Sequence, residues 1–456
     1  MQQSNEYLIV RKIFWRVIPL LMVLYVVSYI DRINVGFAAL TMNHDIGLNE
    51  YTYGWGAGIF FFGYCLFEVP SNLMMVRFGA RRWIARILFT WGLLSCAMAL
   101  VAGPTSFLVL RFLLGVAEAG FFPCVILYLT FWFPARYRAR IIATFSLAIP
   151  VSIAVGAPLS TLILELDGML GVKGWQWLFI IEGIPAVLGT FFVLRMLTDR
   201  PEEAQWLTTQ EKAWLADELN KDIVASNEHN VSALRRAFTD PAVLTLALVY
   251  FCAIGANLGL SFFLPQIIKA QGYSTMQTGL ITSVPYIAGC VGMLAIGFLS
   301  DRFNERRWFL AATMVLTAGG LAVAGALGAS VWSIAAVSVA AIGILGCKGP
   351  FWALPATYLS GQAMAGGIAF INAMGNLGGF AGPYLVGFFK SSSNSYASGL
   401  YALAALVQRP AITFNKCLHD LSWWHEPRSS CNASEAGQEG PGGTAGADQA
   451  HDGSTA

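Results

Sequence analysis

Apolar runs long enough to cross a lipid bilayer recur along almost the whole chain, and they rule out a soluble fold. A spanning helix needs roughly 20 predominantly apolar residues. Eleven runs qualify, at about 17–38, 53–75, 83–102, 106–131, 141–164, 176–197, 242–264, 278–299, 308–328, 331–358 and 365–389. Charged residues are 12% of the chain, against about 25% in a soluble domain. The expected class is therefore an all-α polytopic membrane protein whose first partner is the bilayer. The first run is too long for a secretory signal and carries Asp31. No basic block suggests nucleic acid. Cys65, Cys96, Cys124, Cys252, Cys290 and Cys347 fall inside apolar runs without CxxC or Cys/His spacing, so they read as packing residues, and no metal or cofactor is expected.

Lysine and arginine gather in alternate connections. Arg11, Lys12 and Arg16 precede the first run; Arg77, Arg81, Arg82 and Arg86 follow the second; Arg136, Arg138 and Arg140 follow the fourth. Arg302, Arg306 and Arg307 follow the eighth, whereas the opposite connections hold almost none. This bias predicts a cytoplasmic N-terminus. The one long polar connection, 198–240, falls after six runs and divides the chain into 1–197 and 241–407; residues 201–207 and the Glu/Lys pattern after them predict a short amphipathic helix at the membrane surface. The halves echo one another. Arg77-Phe78 with Arg81-Arg82-Trp83 matches Arg302-Phe303 with Arg306-Arg307-Trp308, and Gly156-Ala157-Pro158 matches Ala381-Gly382-Pro383. Such a repeat marks a two-bundle transporter with its site at the midplane. The twelfth run begins at 399 and stops at Gln408-Arg409-Pro410, so the last helix is expected to be truncated or replaced. Residues 408–456 are expected to be a disordered tail, as a shifted reading frame or truncated gene would leave, with a tolerated short end as the competing explanation.

Two stretches put charge where lipid-facing segments cannot tolerate it. Asp31 and Arg32 lie in the first run, and Arg111 precedes Glu118 by seven residues, close to two helical turns, so those two share a face. A charge at bilayer depth costs at least ~2.5–3.5 kcal/mol and normally has a task. Asp31 and Glu118 are the candidate proton carriers, because burial and a neighbouring guanidinium pull a carboxyl's titration in opposite directions. Arg32 and Arg111 are the candidate substrate ligands, since a planar, always-charged fork fits a carboxylate. Arg32 is favoured for direct contact and Arg111 for tuning Glu118; permanent pairing with the acids is the competing explanation. The second half has no acid in a span before Asp301. It offers neutral groups instead: Asn257, Ser261, Tyr286, Trp352, and Asn372 with Asn376 one turn on. These suit the oxygens of a hydroxy acid, although bonds between helices would use the same groups. Tyr29 and Tyr64 are further cavity donors. Glu68 and Glu182 are expected to bond backbone or loop arginines, and Lys348 is a cation without an evident role.

On these residues the chain resembles the major facilitator superfamily, more narrowly its anion:cation symporter branch of bacteria. The motifs are Tyr29-Ile30-Asp31-Arg32-Ile33-Asn34, Phe67-Glu68-Val69-Pro70-Ser71-Asn72, residues 111–123 and Gly349-Pro350-Phe351-Trp352. The resemblance implies two six-helix bundles acting as a single functional unit in the inner membrane, and proton-coupled import of an organic acid anion by alternating access. Residues 54–61 and 174–179 bring it nearest the tartrate-type members, with phthalate and hydroxyphenylacetate carriers similar too. It also implies gating loops at Arg77, Arg81, Arg82 and at Asp301, Arg302. Val76 stands where the superfamily has an acid. A membrane sensor would need an output domain, which neither 198–240 nor the tail resembles. An enzyme would need a His cluster, a nucleophile elbow or a metal-ligand set, and none stands in the sequence.

Overall fold

The computed structural model describes residues 2–146, 148–226, 239–355 and 361–421. Among them the chain is helical throughout, with no strand. Inside lipid a backbone must satisfy its own N–H and C=O groups, and an apolar run does so by coiling. The first half comprises α1 (Gln2–Asp45), α2 (Glu50–Phe78), α3 (Ala80–Ala97), α4 (Pro104–Glu118), α5 (Phe121–Trp132), α6 (Ala135–Ser146), α7 (Ala148–Leu164) and α8 (Gly174–Met196). After α9 (Thr209–Ser226) come α10 (Pro241–Lys269), α11 (Thr275–Arg302), α12 (Arg307–Leu327), α13 (Val331–Gly346), α14 (Lys348–Ala353), α15 (Gly361–Ser393) and α16 (Tyr396–Leu421). The body of the fold ends at Phe414, and Asn415–Leu421 stand outside it.

Capping chemistry sets the starts. Asn49 Oδ1 accepts the Thr52 N–H at 2.8 Å ahead of α2, and Ser274 and Gln277 form a reciprocal capping box ahead of α11. Asp240 caps α10, whose first residue is Pro241. Several expected spans are interrupted. The run at 106–131 breaks between α4 and α5, where Gly120 adopts a left-handed conformation at φ +85°. The run at 331–358 is divided between α13 and α14. In the central connection the long helix is α9; residues 201–207 instead hold a 3₁₀ turn, with Pro201, Ala204 and Leu207 buried and Trp206 stacked on Trp132 at 5.5 Å. Ion pairs from Lys12 to Glu211 (2.8 Å) and from Arg136 to Glu218 tie α9 to the first half.

The chain after 407 also differs from expectation. The apolar run stops there, yet the backbone stays helical to Leu421, with Leu400, Leu403, Ala404 and Val407 buried. Residues 422–456 lie outside the described residues.

The halves meet along three seams: α1 on α10, α2 on α15, and α7 on α11. The tightest approaches lie at one end of the fold. Gly36 sits against Phe262, Gly54 and Gly58 against Pro383 and Phe380, and Gly279 against Ala157 and Thr161. These positions are near the connections at 46–49, 165–173, 270–274 and 394–395, away from the central connection. Within the first half, α2 and α4 touch just as closely: a Cβ at Gly115 would fall 2.0 Å from the Phe60 carbonyl oxygen. Gly115→Leu should therefore cost about 3 kcal/mol or more, read as a lowered Tm in detergent. Gly297→Leu, where a Cβ meets nothing within 4 Å, should melt with the wild type; equal melting of both variants would refute the packing argument.

Candidate functional site

The charged residues of α1 and α4 meet inside the first half, paired differently from the sequence expectation. Arg32 Nη2 donates to Glu118 Oε1, forming the ion pair, and Ser28 Oγ donates to the same oxygen at 2.8 Å. Asp31, adjacent to Arg32 in sequence, points the other way because successive helix residues diverge by about 100°. It accepts from Ser95 Oγ and Trp91 Nε1 on α3 and from Asn34 Nδ2 at 3.1 Å, and it is 1% exposed. Asp31 therefore neither pairs with Arg32 nor faces the seams between the halves. Its three donors enclose it within one bundle.

Arg111 is likewise not bonded to Glu118. Its guanidinium, 0% exposed, donates from Nε to the Gly56 carbonyl at 3.1 Å and from Nη2 to the Ala57 carbonyl at 3.4 Å, while Nη1 has no hydrogen-bond partner. Phe60 lies between the two cations, its ring centroid 5.5 Å from Arg32 Cζ and 4.9 Å from Arg111 Cζ. Tyr29 and Tyr64 add rings at 5.8 and 5.2 Å from Arg32. A ring face attracts a cation by its quadrupole, so these aromatics hold the Arg32 head beside Glu118 in a largely apolar setting. The Arg32 side chain keeps 12% exposure, unlike Glu118 at 0%. Glu118 is the last residue of α4, just before the break at Gly120, and its Oε2 has no hydrogen-bond partner.

The neutral groups of the second half divide into four sets. Asn257 is buried on α10 opposite Tyr29. Ser261 and Tyr286 share a hydrogen bond at 2.7 Å, joining α10 to α11. Trp352 packs edge-on to Tyr250 at 5.0 Å. Asn372 and Asn376 do share a helix face, as their spacing requires, but their Nδ2 groups donate to Glu68 Oε1 (3.0 Å) and Oε2 (2.9 Å) across the α2–α15 seam. Glu68 thus does not bond backbone or a loop arginine. Nor does Glu182, which accepts from Ser160 Oγ at 2.7 Å. Lys348 is half-buried beside Cys347 and Cys290.

At the expected gating loops, Asp301 pairs with Arg306 at 2.5 Å, and Arg302 is exposed. In the first-half loop Arg77, Arg81 and Arg82 are exposed. The acid absent at Val76 has a counterpart in Asp199, which accepts the Arg81 N–H at 2.7 Å. Gly79 is required there twice: its φ is +88°, and a Cβ would meet the Asp199 carboxylate at 2.9 Å.

Sequence reasoning missed Phe60, Trp91, Ser95 and the Glu68 pairing. Trp91 and Ser95 are four apart, so two polar atoms on one face of an apolar helix were a usable signal. Phe60 gave none, being one aromatic among many.

Residues 21–383 match the family model of the Major Facilitator Superfamily. A protein of Agrobacterium vitis named "Putative tartrate transporter" is 47% identical over 409 residues, covering 89% of this chain and 90% of that one. The "Quinolone resistance transporter" of Acinetobacter baumannii is 44% identical over 400 residues, covering 88% of this chain and 92% of that one. The crystal structure of a D-xylose–proton symporter overlays with a TM-score of 0.72 at 15% identity, covering 88% of this chain and 97% of that one, and shows the shared fold.

The geometry predicts non-additive stabilities. Arg32→Ala strands the Glu118 charge and should cost about 3–5 kcal/mol. Adding Glu118→Gln should restore much of the lost Tm. A double variant no more stable than Arg32→Ala alone would mean the two side chains are not energetically paired.

Proposed function

Because the chain belongs to the Major Facilitator Superfamily, we propose that it imports an organic acid anion of the tartrate type together with protons, by alternating access. The observation that carries this reading is the Arg32–Glu118 pair. A guanidinium stays charged at any physiological pH, whereas its carboxylate partner can be neutralised. When Glu118 takes a proton, Arg32 loses its counter-charge while still held by the rings of Tyr29, Phe60 and Tyr64. A substrate carboxylate then satisfies it with a paired-donor geometry. Proton first, anion second is thus favoured by electrostatics, and release runs in reverse. Asp31 is the second candidate proton carrier, held by three donors behind the pair, and Arg111 is held by two backbone carbonyls.

Asn257, Trp352 and the amides of Asn372 and Asn376 supply the second half's contacts to the cargo, and the three seams are the surfaces on which the halves rock. The positive-inside bias supports a cytoplasmic N-terminus and central connection, and the bacterial relatives are in keeping with an inner-membrane carrier. The tight ends of the seams then lie on the outer side. A second reading, an aromatic acid such as phthalate as cargo, is favoured by the three rings around Arg32, and the relative named for quinolone resistance is in keeping with it.

The test is accumulation of radiolabelled L-tartrate in proteoliposomes under an imposed inward proton gradient, with phthalate as competitor. Wild type should concentrate the label. Glu118→Gln should lose gradient-driven accumulation by about tenfold or more, as loss of a residue used only in coupling predicts, while retaining exchange against preloaded tartrate. Undiminished accumulation in Glu118→Gln removes the residue from coupling, and a phthalate block stronger than self-competition selects the second reading.

A further inference from the structure

Glu68 is a further buried acid, 7% exposed, and it stands outside the Arg32–Glu118 pair. Each of its carboxylate oxygens accepts from a separate amide of the opposite half, Asn372 at 3.0 Å and Asn376 at 2.9 Å. Two amide donors converging on two oxygens form a complete carboxylate-binding arrangement, and both asparagines remain partly accessible. The protein's own side chain is the carboxylate that fills it. We infer that Glu68 is an internal substitute for the cargo: in the deprotonated state it occupies the Asn372–Asn376 carboxylate site, and its protonation frees those amides for a carboxylate of the incoming anion.

This rests on the organic-anion reading and adds to it a second, proton-linked carboxylate site on the second half. A neutral carboxylic acid is a weaker acceptor than a carboxylate and carries an O–H that opposes an N–H donor, so an external carboxylate competes successfully only after the proton arrives. The groups facing Glu68 leave that exchange to it. Tyr64 and Cys65 come from its own helix, Cys124 from α5 and Tyr250 from α10, all neutral; Arg32 on α1 is the charge that reaches it among the described residues. Arg32 is engaged with Glu118. A dicarboxylate, with one end on Arg32 and the other on the asparagine pair, would therefore need two protons, one for each internal acid it displaces. Tartrate is such an ion.

The full chain, purified and titrated with L-tartrate between mildly acidic and mildly alkaline pH, tests this. One linked proton changes affinity by at most about tenfold per pH unit, and two by about a hundredfold. Wild type should approach the steeper dependence; Glu68→Gln and Glu118→Gln should each fall to the shallower one. Asn376→Ala, which keeps the acid and removes a donor, should weaken tartrate binding about tenfold at acidic pH. Wild-type steepness in Glu68→Gln, or unaltered affinity in Asn376→Ala, overturns the inference and leaves the transport reading intact. A wild type that binds no tartrate at any pH overturns both.

Discussion

A guanidinium sunk among membrane helices cannot shed its proton, so it must be answered by other groups, and the structure is arranged around two such answers. Arg32 is met by a carboxylate, Glu118, with Ser28 on the same oxygen. Arg111 is met by the carbonyls of Gly56 and Ala57 and by the face of the Phe60 ring that it shares with Arg32. The difference has consequences. Backbone carbonyls do not titrate, so the setting of Arg111 is fixed. Glu118 is a titratable group, so the setting of Arg32 is conditional, and in the proposed mechanism the transported anion enters where the protein's own anion is switched off.

The same logic explains the asymmetry of the halves. The ionisable groups Asp31, Arg32, Arg111 and Glu118 lie in the first bundle, within a scaffold closed by α3 and α8. The second bundle offers amides, hydroxyls and rings instead: Asn257, Ser261, Tyr286, Trp352, Asn372 and Asn376. Neutral donors cost less to bury than charges. Glu68 is the exception that joins the two chemistries, a first-half acid held by second-half amides. Its place on α2, facing α15 along the seam, puts a titratable group at the contact between bundles.

Much of this was legible in the chain alone. Run length and the scarcity of charge fixed an all-helical membrane protein, because an unpaired backbone cannot cross lipid. The motif around Asp31-Arg32 and the Arg111–Glu118 spacing identified the helices that carry the buried charges, because ionisable residues are too costly in a span to be incidental. The echo between the loops at 77–83 and 302–308 exposed the two halves. What the chain could not disclose was pairing. Adjacent Asp31 and Arg32 invited an ion pair, yet α3 presents Trp91 and Ser95 to one of them and α4 presents Glu118 to the other. Spacing likewise put Asn372 and Asn376 on one face but was silent on Glu68, more than 300 residues away. Helical periodicity is a local property, set by each residue's own backbone, and so it is written into the sequence. Which polar group meets which is decided by how separate helices rotate and slide against one another, and that is known only once the whole bundle has closed.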